Sequence, residues 1–111
     1  EGGGDDCDHW RAAEPLAIGG YISLEKAYSY DPIPPDLSAD EAKHILGTQA
    51  QLWTEYMPDP KQVEYMAFPR ACAHAEVAWA PPAVKDFADF QARLDEHLKR
   101  LAILDVNYRR P

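Results

Sequence analysis

Several kinds of residue are scarce in these 111 residues, and each scarcity excludes a class of protein. Cysteine occurs twice, at Cys7 and Cys72, too few for a disulfide-built scaffold. Cys72 lies among Ala71, Ala73 and Ala75 and is expected as a buried helical thiol; nothing in the spacing supports a bridge to Cys7. Basic side chains number 11 against 19 acidic ones, a formal net charge of -8. That balance lacks the positive footprint of a nucleic-acid binder and is unsuited to an anionic membrane surface. No apolar run approaches the roughly 20 residues that cross a bilayer. The amino end, Glu1-Gly2-Gly3-Gly4-Asp5-Asp6, is polar and acidic, unlike a signal peptide. An initiator Met is missing too, so a trimmed start or an excerpt of something longer is expected.

Metal and phosphate chemistry lack their usual patterns as well. His9, His44, His74 and His97 form no i, i+4 pair, and no cysteine or carboxylate completes a ligand set with them. Asp5, Asp6 and Asp8 read as a flexible acidic end rather than a cation site. The glycine triplet at 2–4 is not followed by a helix signal, as a phosphate loop requires. No metal or organic cofactor is indicated.

What is present is ordinary for a globular chain: 46% hydrophobic, 11% aromatic and 27% charged, with room for one small domain. Ten prolines divide it. Residues 1–13 read as an irregular lead-in, and 15–21 as an apolar loop turning at Gly19-Gly20. Ser23 can cap a short helix to Tyr30, with Leu24, Ala27 and Tyr28 on one face. Pro32, Pro34 and Pro35 then forbid helix and central strand alike. Ser38-Ala39-Asp40-Glu41 is a capping box. Ile45 to Trp53 reads as a buried strand. From Pro60 to Trp79 the spacing of Val63, Met66, Ala67, Ala71, Ala75 and Ala78 is helical, with Pro69 bound to kink or split it. Phe87, Phe90, Leu94, Leu98 and Leu101 form one apolar stripe on a last helix at about 85–102. A single strand cannot make a sheet, so the partners of 45–53 are expected outside this chain.

The segment with chemical potential is Gln49 to Tyr56. Strand residues two apart share a face, so Trp53 and Glu55 would project together at the carboxyl end. An indole plane beside a carboxylate suits a sugar: the ring covers the C–H face and the carboxylate accepts from hydroxyls. The competing reading makes Trp53 core and Glu55 a solvated charge. Glu76, with Arg70 six residues earlier, reads as part of a structural polar network. Glycoside cleavage commonly needs two carboxylates flanking the bond, and the surface-helix residues Asp86 and Asp89 fit that role poorly.

The run Leu46-Gly47-Thr48-Gln49-Ala50-Gln51-Leu52-Trp53-Thr54-Glu55-Tyr56 is extended by Glu64-Tyr65-Met66-Ala67-Phe68-Pro69-Arg70, Ala75-Glu76-Val77-Ala78-Trp79 and Phe87 to Leu94. With Glu14-Pro15-Leu16-Ala17-Ile18-Gly19-Gly20-Tyr21 and Leu24-Glu25-Lys26-Ala27-Tyr28, it resembles the carboxyl-terminal end of the catalytic domain of β-N-acetylhexosaminidases, glycoside hydrolase family 20. The resemblance covers about residues 14–109. It implies an α/β fold: a carboxyl-terminal fragment of a (β/α)8 TIM barrel, mostly helical with about one or two barrel strands, its site at the carboxyl ends of the strands. Residues 14–111 would then belong to the catalytic domain. The resemblance also implies that Trp53 walls the pocket for a terminal N-acetyl sugar and that Glu55 binds its outer hydroxyls. Hydrolysis in the family is retaining and assisted by the substrate's acetamido oxygen, an exception to the two-carboxylate scheme. Its Asp-Glu pair belongs to a His-x-Gly-Gly-Asp-Glu motif that this sequence does not contain, so no catalytic residue is assigned here. The family's Tyr-x-Asp ahead of the Glu-Pro segment has no Tyr counterpart, and Asp5 is the candidate for its Asp. Ile18 stands where some relatives carry a Trp that shapes the next subsite.

The partners implied are glycans ending in N-acetylhexosamine, glucosamine or galactosamine alike, and the remainder of the barrel. Export from a bacterial cell is the associated location. The alternative reading is a non-catalytic small helical binding protein derived from a barrel remnant, with the 85–102 helix facing a protein partner.

Overall fold

The computed structural model describes residues 22–111. The sequence features assigned to Asp5, Cys7, the 1–13 lead-in, Ile18 and the Gly19-Gly20 turn lie outside the described residues. Among the described residues five α-helices follow one another: α1 (Leu24–Ser29), α2 (Ala39–Ala42), α3 (Pro60–Ala67), α4 (Arg70–Trp79) and α5 (Phe87–Ile103). A 3-10 turn at Pro82–Val84 links the last two.

Local chemistry sets most of these boundaries. Ser23 accepts from the Lys26 N–H at 3.1 Å and starts α1. At α2 both halves of the capping box form: Glu41 N–H to Ser38 Oγ at 3.2 Å, and Ser38 N–H to Glu41 Oε1 at 3.0 Å. The Ser38 donors also hold the Glu41 carboxyl below its usual range. Asp59 caps α3 by accepting from the Gln62 N–H at 2.9 Å, with Pro60 in the first turn, where its missing N–H costs nothing. Pro69 divides α3 from α4: Phe68 is extended at ψ 140, as a residue before proline prefers. Asp86 caps α5 through the N–H groups of Ala88 and Asp89.

The core is built by α1, α4 and α5. Tyr28, Ala73, Phe90 and Leu94 are buried together, and Leu24, Ala27, Cys72, Phe87 and Leu98 pack against them. The stripe expected on α5 is the one that packs inward. Tyr28 stacks on Phe90 with centroids 4.7 Å apart and meets Phe87 at 5.7 Å. On α4 the inward face differs from the sequence expectation. Ala73 and Val77 are buried, whereas Ala75 and Ala78 are exposed. The break at Pro69 resets the helical phase, so a stripe counted from Val63 does not carry through to Trp79.

A network of polar groups bolts the same three helices. The buried Tyr28 hydroxyl donates to Glu76 Oε2 at 3.0 Å and accepts from the Asp86 N–H at 3.1 Å. Arg93 grips both oxygens of Glu76, with Nη2 2.8 Å from Oε2, and its Nε reaches Asp89 Oδ2 at 2.8 Å. Hydrogen bonding from Arg93 holds the Glu76 carboxyl below its usual range, and burial pushes the Tyr28 hydroxyl up. Glu76 is thus structural, as expected, but its ion-pair partner is Arg93. Arg70 instead donates to the carbonyls of Met66 at 2.8 Å and Ile22 at 3.4 Å.

The strand expected over Ile45–Trp53 does not form, and no β-strand occurs among the described residues. Residues 45–54 take neither helix nor strand. A strand exists only through a ladder of inter-strand hydrogen bonds, and the described chain offers 45–53 no partner.

At its end, α5 closes in a two-bond cap. Asp105 N–H reaches Ala102 O at 3.1 Å and Val106 N–H reaches Leu101 O at 2.9 Å, with Asp105 at φ 58 in the left-handed region. The reversal sends residues 106–109 back along α3. Asn107 N–H donates to Glu64 Oε1 at 2.7 Å, Asn107 Nδ2 to Lys61 O at 3.0 Å, and Arg109 N–H to Phe68 O at 2.9 Å.

Candidate functional site

Trp53 ends the irregular segment and is 64% exposed. Two residues on, Glu55 is exposed and lies inside a turn closed by the Met57 N–H and Thr54 O at 3.1 Å. The alternation of a pleated strand therefore does not relate the two side chains here; a segment that enters a turn does. Neither side chain is buried among the described residues.

The surroundings of this segment are apolar and open. Leu46 is 97% exposed, and Ile45, Leu52 and Tyr56 are exposed too. A groove of about 220 Å³ lies between the start of the segment and the end of α4, lined by Ile33, Ile45, Leu46, Val77, Pro82 and Lys85 among others. Lys85 is held there by donating to Tyr30 O at 2.7 Å. The end of α4 thus lines the same groove as the start of 45–54.

Apart from this pair, few groups have reactive potential. Cys72 carries a free, half-buried thiol that burial pushes up, which disfavours the thiolate. His97 accepts from Arg100 Nη1 at 3.3 Å when Nδ1 is unprotonated, and His44 is exposed. Among the described residues no three His, Cys, Asp or Glu side chains converge on a metal site, and no helix is long and apolar enough to cross a membrane. One set of contacts was invisible to sequence reasoning: the grip of Asn107 on Lys61 and Glu64, directly after the Glu55 turn. No spacing rule joins residues 43 positions apart.

The chain matches the family model described as "Glycosyl hydrolase family 20, catalytic domain" over residues 6–82, a span that contains Trp53, Glu55 and the helices flanking them. The chain belongs to glycosyl hydrolase family 20. Among its relatives in this family, a beta-hexosaminidase of Porphyromonas gingivalis is 46% identical over 112 aligned positions, covering 98% of this chain and 14% of the relative. A beta-hexosaminidase of Akkermansia muciniphila is 40% identical over 88 positions, 78% of this chain and 17% of the relative. The chain therefore spans about a seventh to a sixth of the length of these relatives. A family 20 exo-β-N-acetylglucosaminidase of Vibrio harveyi, solved in complex with N-acetylglucosamine, superposes with a TM-score of 0.74 at 38% identity, covering 81% of this chain and 14% of the solved one. The family match stops at Pro82, yet α5 beyond it supplies Phe90, Leu94 and Leu101 to the buried set.

Proposed function

We propose that this chain is a carboxyl-terminal part, residues 14–111, of the catalytic barrel of an exo-acting β-N-acetylhexosaminidase. In this reading Trp53 and Glu55 hold the terminal N-acetylhexosamine. The observation that carries it is the exposed Trp53 indole, one residue before the turn bearing Glu55, inside the family-matched span. A tryptophan this exposed loses hydrophobic stabilisation unless something covers it. A pyranose ring provides such a cover on one face, and its hydroxyls suit the neighbouring carboxylate.

The chemistry proposed is retaining hydrolysis in which the acetamido oxygen of the substrate attacks its own anomeric carbon. Trp53 and Glu55 contribute by fixing the ring, so that this oxygen stays within reach of the reacting carbon. The acid and the acetamido-orienting carboxylate of the family's His-x-Gly-Gly-Asp-Glu motif have no counterpart in this sequence, so the isolated chain is proposed to turn over no substrate. Exposed Ile45, Leu46 and Leu52 favour the barrel reading over a stand-alone helical binding protein. The absent part of a barrel would cover them and supply the ladder that 45–54 lacks.

The test is Trp53→Ala in the complete enzyme, assayed with an N-acetylglucosaminide. Removing the indole is expected to lower kcat/KM by about 2–4 kcal/mol, roughly 30- to 900-fold. An unchanged kcat/KM sinks the assignment.

A further inference from the structure

We propose that Asn107 and Glu64 are positioning residues that set the turn carrying Glu55, an inference that rests on the sugar-binding reading above. The starting point is the tail beyond α5. Asn107 grips the first two turns of α3, by its backbone N–H to Glu64 Oε1 at 2.7 Å and by its side-chain Nδ2 to Lys61 O at 3.0 Å. Arg109 N–H then ties the other end of α3 at Phe68 O, 2.9 Å away. The tail itself is held: the Asp105 reversal caps α5, and α5 is anchored in the core by Phe90, Leu94 and Leu101.

The link from this clasp to Glu55 is short and stiff. Only Tyr56, Met57, Pro58 and Asp59 separate Glu55 from α3. Met57 N–H closes the Thr54 turn, Pro58 and Pro60 have fixed φ, and Asp59 caps the helix through Gln62 N–H. A link with so few free torsions passes a displacement of α3 to Glu55 instead of absorbing it. A rotation of the first turn of α3 therefore moves the Glu55 carboxylate relative to Trp53 and to any sugar between them. Misplacement of about 1 Å at a binding group is enough to be felt in the kinetics. Asn107 lies outside the family-matched span of residues 6–82, so the clasp joins a residue beyond that span to a helix within it.

The experiment uses the complete enzyme with Glu64→Ala, Glu64→Gln, Asn107→Ala and Trp53→Ala, each measured for KM, kcat and Tm with an N-acetylglucosaminide. Glu64→Ala and Asn107→Ala are expected to raise KM about 3- to 10-fold, with kcat changed by less than about twofold. Glu64→Gln keeps the Oε1 acceptor and is expected to restore KM nearly to that of the parent enzyme. A purely structural brace would lower Tm and leave KM in place. The proposal is overturned if Glu64→Ala and Asn107→Ala keep the parent KM while Trp53→Ala is impaired, which leaves the sugar-binding reading standing. It is also overturned if Glu64→Gln is as impaired as Glu64→Ala. An unimpaired Trp53→Ala removes the sugar-binding reading and the inference together. Should Glu64→Ala fail to fold, Asn107→Ala decides alone through the Nδ2 bond to Lys61 O that it removes, its backbone N–H bond to Glu64 being kept: a parent KM then overturns the proposal.

Discussion

Replacing Tyr28 by Phe isolates the polar bolt between α1, α4 and α5. The ring keeps its volume and its contacts with Phe87 and Phe90, so no cavity opens. What disappears is one hydroxyl, which donates to the Glu76 carboxylate at 3.0 Å and accepts from the Asp86 N–H at 3.1 Å. A hydrogen bond to a charged group contributes about 1.5–3 kcal/mol, and Asp86 sits where water can replace the lost acceptor, so a cost of about 1.5–2.5 kcal/mol is expected at pH 7. In urea this moves the unfolding midpoint down by roughly 1 M with little change in slope. The pH dependence gives a second reading of the same bond. The folded-state pKa of Glu76 lies below its ordinary value of 4.5, chiefly because of Arg93. Stabilisation from the ionised carboxylate is therefore complete above about 4.5 and is lost as pH falls through the lower folded-state value. The difference between parent and Tyr28→Phe should shrink over that acid range, and a Tyr28→Phe, Glu76→Gln double-mutant cycle should show coupling at pH 7. A midpoint within error of the parent at pH 7, or a cost that does not change on acidification, would refute the assignment of this hydroxyl to the Glu76 carboxylate.

Two further outcomes test the packing and the α5 cap. Leu94→Ala deletes a side chain only 3% exposed at the centre of the aromatic core, and should destabilise the chain by about 2–5 kcal/mol in denaturant titrations. Asp105→Gly should stabilise it, because φ 58 costs an L-residue about 1 kcal/mol that glycine does not incur. A Tm raised by about 4 °C is the expected reading, and a lowered one would show that the Asp105 side chain itself contributes to the cap.

These perturbations fall where residues distant in sequence meet. The helix ends were legible without coordinates, because each depends on groups within three or four positions: Ser23, the Ser38–Glu41 box, Pro60 and the division at Pro69. The α5 stripe was legible for the same reason, since 17 uninterrupted helical residues keep one phase. Family membership was legible in the run from Leu46 to Tyr56 and the motifs after it, and the match over residues 6–82 agrees. The strand expected over 45–53, with its partners outside this chain, does not form among the described residues. Apolar, β-favouring residues mark a segment that suits pairing, but a ladder also needs a neighbour, and the described residues provide none.

By itself, then, the sequence determined the helix boundaries, the inward face of α5 and the kinship with family 20 catalytic domains, all of them carried by neighbouring residues or ordered motifs. Tertiary structure alone decided that Glu76 pairs with Arg93 and not Arg70, that α4 buries Ala73 and Val77, and that Asn107 clasps Lys61 and Glu64 beside the Glu55 turn. The physical reason is range. A cap or a stripe is written within one or two turns of chain, whereas contacts spanning 17, 43 or 48 positions exist only once packing has brought the helices together.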